Sequence, residues 1–176
     1  MFELYNSTDF EKMYTYTETD LGATWFPEKT LFRLWAPTAD SVQIHLYKSG
    51  NADAQDLLET LDMTRDIQGT WIASKTGDLN GIYYTYLVHR DEEDVEVCDP
   101  YARTTGINGN RAMILDLAST DPEGWETDKD PNFDKQITDA VIYELHVRDL
   151  SMNENSGIQN KGKFLGLTET GTKNPD

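Results

Sequence analysis

The sequence predicts an all-β fold, an antiparallel β-sandwich, and three observations support this class. Hydrophobic and polar residues alternate through residues 42–47, as in a strand with one solvated face. Five or six short segments of similar character follow one another, and turn residues separate them. Hydrophobic residues make up 38% of the 176 residues and aromatic residues 11%, which is enough to bury a core.

Each predicted strand rests on alternation or on β-branched and aromatic residues between turn signals. The turn Pro37–Asp40 separates the first two strands, and the acidic segment Asp91–Asp94 forms the tip of a hairpin. The alternation turns five side chains inward: Phe32, Leu34, Val42, Ile44 and Leu46. In chain order the predicted strands are residues 31–36, 42–47, 70–73, 82–89, 95–97 and 112–117.

Residues 54–63 are compatible with two structures. Ala54, Leu57, Leu58 and Leu61 follow helical spacing, which favours a short helix. The neighbouring predicted strands favour a further strand instead. Sequence pattern alone leaves both alternatives open.

The character of the chain changes after Leu117. Residues 119–138 contain two Asp-Pro pairs and are predicted to be a linker. Residues 140–147 are almost continuously apolar, as in a strand that a parallel sheet buries on both faces. We therefore expect an N-terminal segment at 1–13, a sandwich at 14–118, the linker, and the beginning of a second domain at 139–176.

Charge and composition exclude several classes of function. The net charge of −17 disfavours binding to nucleic acid and to anionic membrane surfaces, and no apolar run is long enough to span a bilayer. Cys98 is the only cysteine, which excludes an intramolecular disulfide. The first residues lack the features of a signal peptide, so a cytoplasmic location is expected.

Nine short segments have recognisable sequences: residues 14–16, 20–22, 31–47, 81–86, 99–102, 108–109, 142–149, 162–168 and 171–175. Together they resemble type I pullulanases of glycoside hydrolase family 13. The segments from 31 to 109 are similar to the N-terminal sandwich of that family, a family 48 carbohydrate-binding module. The more specific match is Tyr143–Asp149, Tyr-Glu-Leu-His-Val-Arg-Asp, which looks like the first strand of the catalytic barrel.

The resemblance implies an immunoglobulin-like β-sandwich followed by the first strand of a truncated (β/α)8 barrel. It also implies a debranching enzyme that hydrolyses α-1,6-glucosidic bonds in pullulan, glycogen or starch dextrins. The family's catalytic carboxylates lie on later barrel strands, so no residue of this chain is predicted to be catalytic. Two alternatives remain: a stand-alone α-glucan-binding module and a structural or interaction domain.

Three residues are predicted to contact substrate. Trp25 lies beside Phe26-Pro27 in a predicted loop, where a flat indole could stack on a sugar ring. The resemblance assigns an asparagine contact to Asn108 or Asn110. It also places Thr85 where glycogen-binding relatives have a lysine, and no aromatic residue lies near 95–97.

No cofactor and no metal ion is predicted. The acidic tip at 91–94 lacks the fixed ligand spacing of a calcium loop, and we expect it to be a solvated turn. The three histidines lack zinc-binding spacing, and no phosphate-binding loop is present. The expected partners are an α-glucan polysaccharide and the remainder of the catalytic barrel, with no nucleic acid and no membrane.

Overall fold

The computed structural model describes Tyr5 and residues 7–129 and 136–174. The chain divides into two units, Met1–Glu123 and Gly124–Asp176. The first contains the strands, and the second contains short helices and irregular segments in its described residues.

The first unit begins with helix α1 (Thr8–Tyr14), which Ser7 caps by accepting a hydrogen bond from the Phe10 N–H. Single 3-10 turns lie at Ile67–Gly69, Ile107–Gly109 and Leu117–Thr120. Among the described residues the strands are β1 (Gly22–Phe26), β2 (Lys29–Trp35), β3 (Ser41–Tyr47), β4 (Leu57–Asp62), β5 (Thr64–Arg65), β6 (Thr70–Thr76), β7 (Tyr83–Arg90), β8 (Glu93–Val97) and β9 (Ala112–Met113).

Two antiparallel sheets form the sandwich. The first has the strand order β1-β2-β6-β5, and the second has the order β4-β3-β7-β8, with β9 also paired to β7. In the second sheet Ile44 of β3 lies opposite Tyr86 of β7 and Leu61 of β4. The predicted all-β sandwich is confirmed.

The core lies between the two sheets. All five side chains predicted to turn inward are buried: Phe32, Leu34, Val42, Ile44 and Leu46. They alternate along β2 and β3 with residues that remain partly or fully exposed. Because successive side chains of a strand point to opposite faces, this alternation alone assigns the two faces of each sheet.

The structure resolves the ambiguous segment in favour of the strand. β4 pairs with β3 along Leu57–Asp62, so the backbone N–H and C=O groups of this segment find hydrogen-bond partners in the neighbouring strand. Two further predictions differ from the structure. The predicted strand 112–117 is shortened to β9, and Leu117 begins a 3-10 turn. β1, which carries the predicted loop residue Trp25, was not predicted.

The second unit does not contain the predicted barrel strand. Residues 140–146 have no secondary structure, and helix α2 (Val147–Met152) follows them. Val141 and Ile142 are 96% and 88% exposed. A strand needs a neighbour to satisfy its backbone donors and acceptors, and the described residues offer none to this segment. The remaining turns of the second unit are Trp125–Thr127, Ile137–Asp139, Glu154–Ser156 and Phe164–Leu167.

The carboxyl group of Asp99 is buried in the sandwich and accepts three hydrogen bonds. Oδ2 of Asp99 accepts hydrogen bonds from the Tyr84 hydroxyl at 2.6 Å and the Tyr86 hydroxyl at 3.4 Å. Its Oδ1 accepts one from the backbone N–H of Tyr101 at 2.8 Å. Burial raises the pKa of Asp99 above its ordinary value, although all three hydrogen bonds act in the opposite direction.

This raised pKa makes stability depend on pH. A carboxyl group with a raised folded-state pKa contributes stability below its ordinary pKa of 3.8, and this contribution is lost as the pH rises through the folded pKa. We therefore expect the free energy of unfolding of the wild type, minus that of Asp99→Asn, to decrease from about pH 4 upward. Urea denaturation of both proteins across this range measures the difference. The other acidic residues are the same in both proteins, so their contributions to the pH dependence cancel in the subtraction. A difference that increases with pH would contradict the assignment.

Candidate functional site

Four polar side chains meet on the outer face of the second sheet. The alternation that buries Ile44 and Leu46 turns His45 and Tyr47 of β3 outward. The register places Thr85 of β7 opposite His45, and Glu96 of β8 projects onto the same face. We call these four residues the polar face.

Glu96 is the centre of the polar face. Its Oε1 accepts hydrogen bonds from the Tyr47 hydroxyl and from the Thr85 hydroxyl, the latter at 2.5 Å, and His45 Nδ1 lies 3.2 Å away. Partial burial raises the pKa of Glu96, but these hydrogen bonds outweigh burial and hold the pKa below its ordinary value. Glu96 is therefore ionised at neutral pH, and it holds both hydroxyl groups in place.

Arg111 supports the polar face as a buried anchor, because its guanidinium group packs against the ring of Tyr47. The guanidinium carbon lies 3.6 Å from the centroid of the Tyr47 ring, and the residue is only 5% exposed. Its Nη1 donates to Asp56 Oδ1 at 2.7 Å and to the Ser49 carbonyl at 2.9 Å, and Nη2 donates to the Ala54 carbonyl at 3.2 Å. Arg111 thus ties the β3–β4 loop to the chain just before β9.

The two predicted asparagine contacts lie together beside this anchor. Asn108 and Asn110 are exposed in and after the turn Ile107–Gly109, directly before Arg111. Asn108 has φ 56°, a left-handed conformation that asparagine tolerates better than most residues. The turn also contacts the β3–β4 loop, because the Ile107 N–H donates to the Gly50 carbonyl at 3.0 Å. The structure therefore places both asparagines next to the residue that supports Tyr47.

Trp25 lies elsewhere, in the other sheet. It belongs to the edge strand β1, so its predicted loop location is wrong, and its side chain packs against the core. The indole N–H donates to Asp78 Oδ1 at 2.9 Å. The three predicted contacts thus fall into two separate places, and their contact with substrate stays a prediction.

Sequence reasoning missed most of the polar face. The outward positions of His45 and Tyr47 follow from the alternation in β3, whereas nothing in the sequence pattern indicates that Glu96 and Arg111 converge there. Tyr47 and Thr85 are only 8% and 4% exposed, and both of their hydroxyl groups donate to Glu96. The exposed Glu96 carboxylate is therefore the main group of this face that a ligand could reach.

Within residues 7–129 and 136–174, no group of three or more His, Cys, Asp or Glu side chains is arranged to hold a metal ion. In the same part of the chain, no helix has the length and hydrophobicity needed to cross a membrane.

The sandwich and its sequence identify the class of domain. Residues 20–102 match the family model of carbohydrate-binding module 48, the isoamylase N-terminal domain. The structure also superposes on the crystal structure of pullulanase from Paenibacillus barengoltzii in complex with maltohexaose and α-cyclodextrin. The TM-score is 0.89 and the sequence identity 50%, over 97% of this chain and 26% of that one.

Other relatives agree with this match. The pullulanase of Bacillus subtilis is 38% identical over 161 residues, which is 90% of this chain and 21% of the relative. Pullulanase 1 of Arabidopsis thaliana, a chloroplast protein, is 34% identical over 169 residues, 90% of this chain and 17% of the relative. Residues 20–102 are therefore similar to family 48 carbohydrate-binding modules, and this chain is homologous to the N-terminal region of pullulanases. It spans about a fifth of the length of these two relatives.

Proposed function

We propose that this chain is the non-catalytic N-terminal portion of a pullulanase-like debranching enzyme. That enzyme would hydrolyse α-1,6-glucosidic bonds in pullulan, glycogen or starch dextrins. The observation that carries the proposal is the likeness to the Paenibacillus barengoltzii pullulanase, which extends over 97% of this chain at 50% identity. The likeness includes the second unit and is not confined to the sandwich.

The exposed apolar segment of the second unit supports the same proposal. Val141, Ile142 and Tyr143 are at least 78% exposed, and the residues around them form no strand. Their sequence suits a strand that is buried on both faces of a parallel sheet. The proposed partner is accordingly the remainder of a catalytic barrel, which would supply the neighbouring strands and the covering helices.

A domain replacement tests the proposal. We would replace the matching region of the Paenibacillus barengoltzii pullulanase with this chain and measure reducing sugar released from pullulan. The intact enzyme and a form lacking the region are the reference proteins, and a second chimera carries only residues 1–123. We expect the full chimera to hydrolyse pullulan and the isolated chain to release no sugar.

Two outcomes would contradict the proposal. Hydrolysis by the isolated, purified chain would show that it is catalytic. A folded full chimera as inactive as the deletion form would show that this chain does not replace the N-terminal region. If the chimera with residues 1–123 matches the full chimera, the sandwich alone is the functional part.

The second candidate function is contact with α-glucan by the sandwich itself. The specific observation in its favour is the match to carbohydrate-binding module 48 across residues 20–102. The two exposed asparagines beside the polar face offer hydrogen-bonding groups that suit sugar hydroxyls. Retention of the isolated chain on amylopectin, compared with retention on cellulose, tests this function.

A further inference from the structure

A cleft of about 380 Å³ opens at the edge of the sandwich, away from the polar face. It lies between β1 of the first sheet and residues 113–118, which begin in β9. Tyr84 and Ile114 are each 1% exposed, so they form an apolar floor that belongs to the core. The volume falls within the range of roughly 300–1,000 Å³ that is usual for small-molecule clefts.

The polar groups of the cleft have unused hydrogen-bonding capacity. The guanidinium of Arg103 makes neither a hydrogen bond nor an ion pair with any residue that the structure describes. Asp116 uses Oδ1 to accept from the Ala118 N–H at 3.1 Å, and its Oδ2 has no partner in the described part of the chain. A strong donor and a strong acceptor thus line the same cleft.

Arg103 and Asp116 together indicate which ligand charge the cleft would accept. A sugar hydroxyl donates and accepts at once, so the hydroxyl groups of one oligosaccharide can bond to a guanidinium and to a carboxylate that line the same cleft. An anionic ligand would meet the Asp116 carboxylate and the field of a protein with a net charge of −17. The cleft therefore suits a neutral ligand that carries many hydroxyl groups.

Two aromatic side chains supply the apolar surface that a pyranose ring requires. Tyr101 is 48% exposed and lines the cleft together with Trp25. The Trp25 N–H is already bound to Asp78, which a second hydrogen bond from the Asn80 N–H holds in place at 2.8 Å. The indole therefore has no polar group left to satisfy and offers its apolar surface to the cleft.

We propose that this cleft is a binding site for a neutral oligosaccharide, with Arg103 and Asp116 binding hydroxyl groups and Tyr101 and Trp25 packing against the rings. The choice of an α-1,4-linked glucan as the ligand rests on the proposed function. The site is separate from the polar face and from the Asn108–Asn110 turn, because no residue of either lines the cleft.

A titration monitored by nuclear magnetic resonance tests the site. The ¹⁵N-labelled 176-residue chain is titrated with maltotetraose and, in parallel, with cellotetraose, which differs in its β-linkages. We expect saturable shifts with maltotetraose that are confined to residues around the cleft. Arg103→Ala and Tyr101→Ala should each weaken binding at least about tenfold, since a hydrogen bond to a charged group or a ring contact is lost.

Controls separate this site from the predicted asparagine contacts. The matched variant is Asn108→Gly with Asn110→Ala, where glycine preserves the left-handed backbone of residue 108. Because the cleft includes Arg103 and neither asparagine, we expect Arg103→Ala to weaken binding more than this double variant does. Arg103 is exposed and without partners in the described residues, so Arg103→Ala should fold normally, which the same spectra verify.

Three other outcomes of the titration would contradict different parts of the proposal. Unchanged binding in Arg103→Ala, or loss of binding only in the asparagine variant, would overturn the cleft and leave α-glucan contact standing. Equal shifts with cellotetraose would overturn the α-glucan assignment. The absence of saturable shifts would overturn both, while the domain replacement would still decide the non-catalytic role.

Discussion

Arg111→Ala should lower the free energy of unfolding by about 1.5 to 3 kcal/mol, because it removes a buried guanidinium that makes a charge-assisted hydrogen bond to Asp56. The guanidinium is 5% exposed and donates to Asp56 Oδ1 at 2.7 Å. Hydrogen bonding from Ser49 and from Arg111 holds the pKa of Asp56 below its ordinary value. The substitution would leave that carboxylate and two loop carbonyl groups without their donor, and Tyr47 without its stacked cation.

Urea denaturation of the purified chain measures this effect. Arg103→Ala is the matched control: it removes an exposed arginine without partners in the described residues and should change the free energy by less than about 0.5 kcal/mol. Arg111→Lys should fall between the two, since a lysine cannot reproduce the forked donor geometry. Equal unfolding midpoints for Arg111→Ala and Arg103→Ala would show that the buried anchor has no net effect.

Tyr84→Ala should destabilise the sandwich by about 3 to 5 kcal/mol, since it deletes a large side chain from a packed core. Tyr84 is 1% exposed, and its ring lies 5.4 Å from that of Phe32 and 5.7 Å from that of Tyr86. Both ring pairs are T-shaped, an arrangement that aromatic quadrupoles favour. The substitution would therefore leave a cavity between the sheets.

Tyr84→Phe separates the hydroxyl group from the ring. It keeps the ring contacts and removes the 2.6 Å hydrogen bond to buried Asp99, and it should cost about 1 to 3 kcal/mol. Tyr83→Phe is the control for a partly exposed hydroxyl that has no partner among the described residues, and it should be close to neutral. Thermal and urea unfolding of the three variants measure the series. A Tyr84→Phe cost equal to that of Tyr84→Ala would assign the effect to the hydroxyl alone.

Local sequence pattern accounts for the strands at the centre of the sandwich. Burial alternates over seven residues in β2 and over six in β3, and all five predicted inward side chains are buried. Such a pattern is local, so it can be recognised without knowing which strand lies beside it. The segment 57–62 illustrates the limit, because helical spacing and strand context conflict there and only the pairing with β3 makes it β4.

The candidate sites were predicted less completely because they depend on distant residues. Thr85 and Glu96 are 11 positions apart in the chain, and Arg111 reaches Asp56 across 55 positions. Trp25 was expected in a loop, yet its pairing with Thr30 makes it part of an edge strand that borders the cleft. Arg103 and Asp116 come to line one cleft only after β1 and β9 have taken their places.

The sequence by itself therefore determined the all-β class, the inward faces of β2 and β3, and the resemblance to the N-terminal region of pullulanases. Only the tertiary structure decided the strand order, the polar face around Glu96, the buried anchor at Arg111 and the cleft. It also decided that residues 140–146 form no strand, despite their apolar sequence. The physical reason is the same in each case: side-chain alternation is a local property, whereas hydrogen-bond partners and burial are supplied by residues that are distant in the chain.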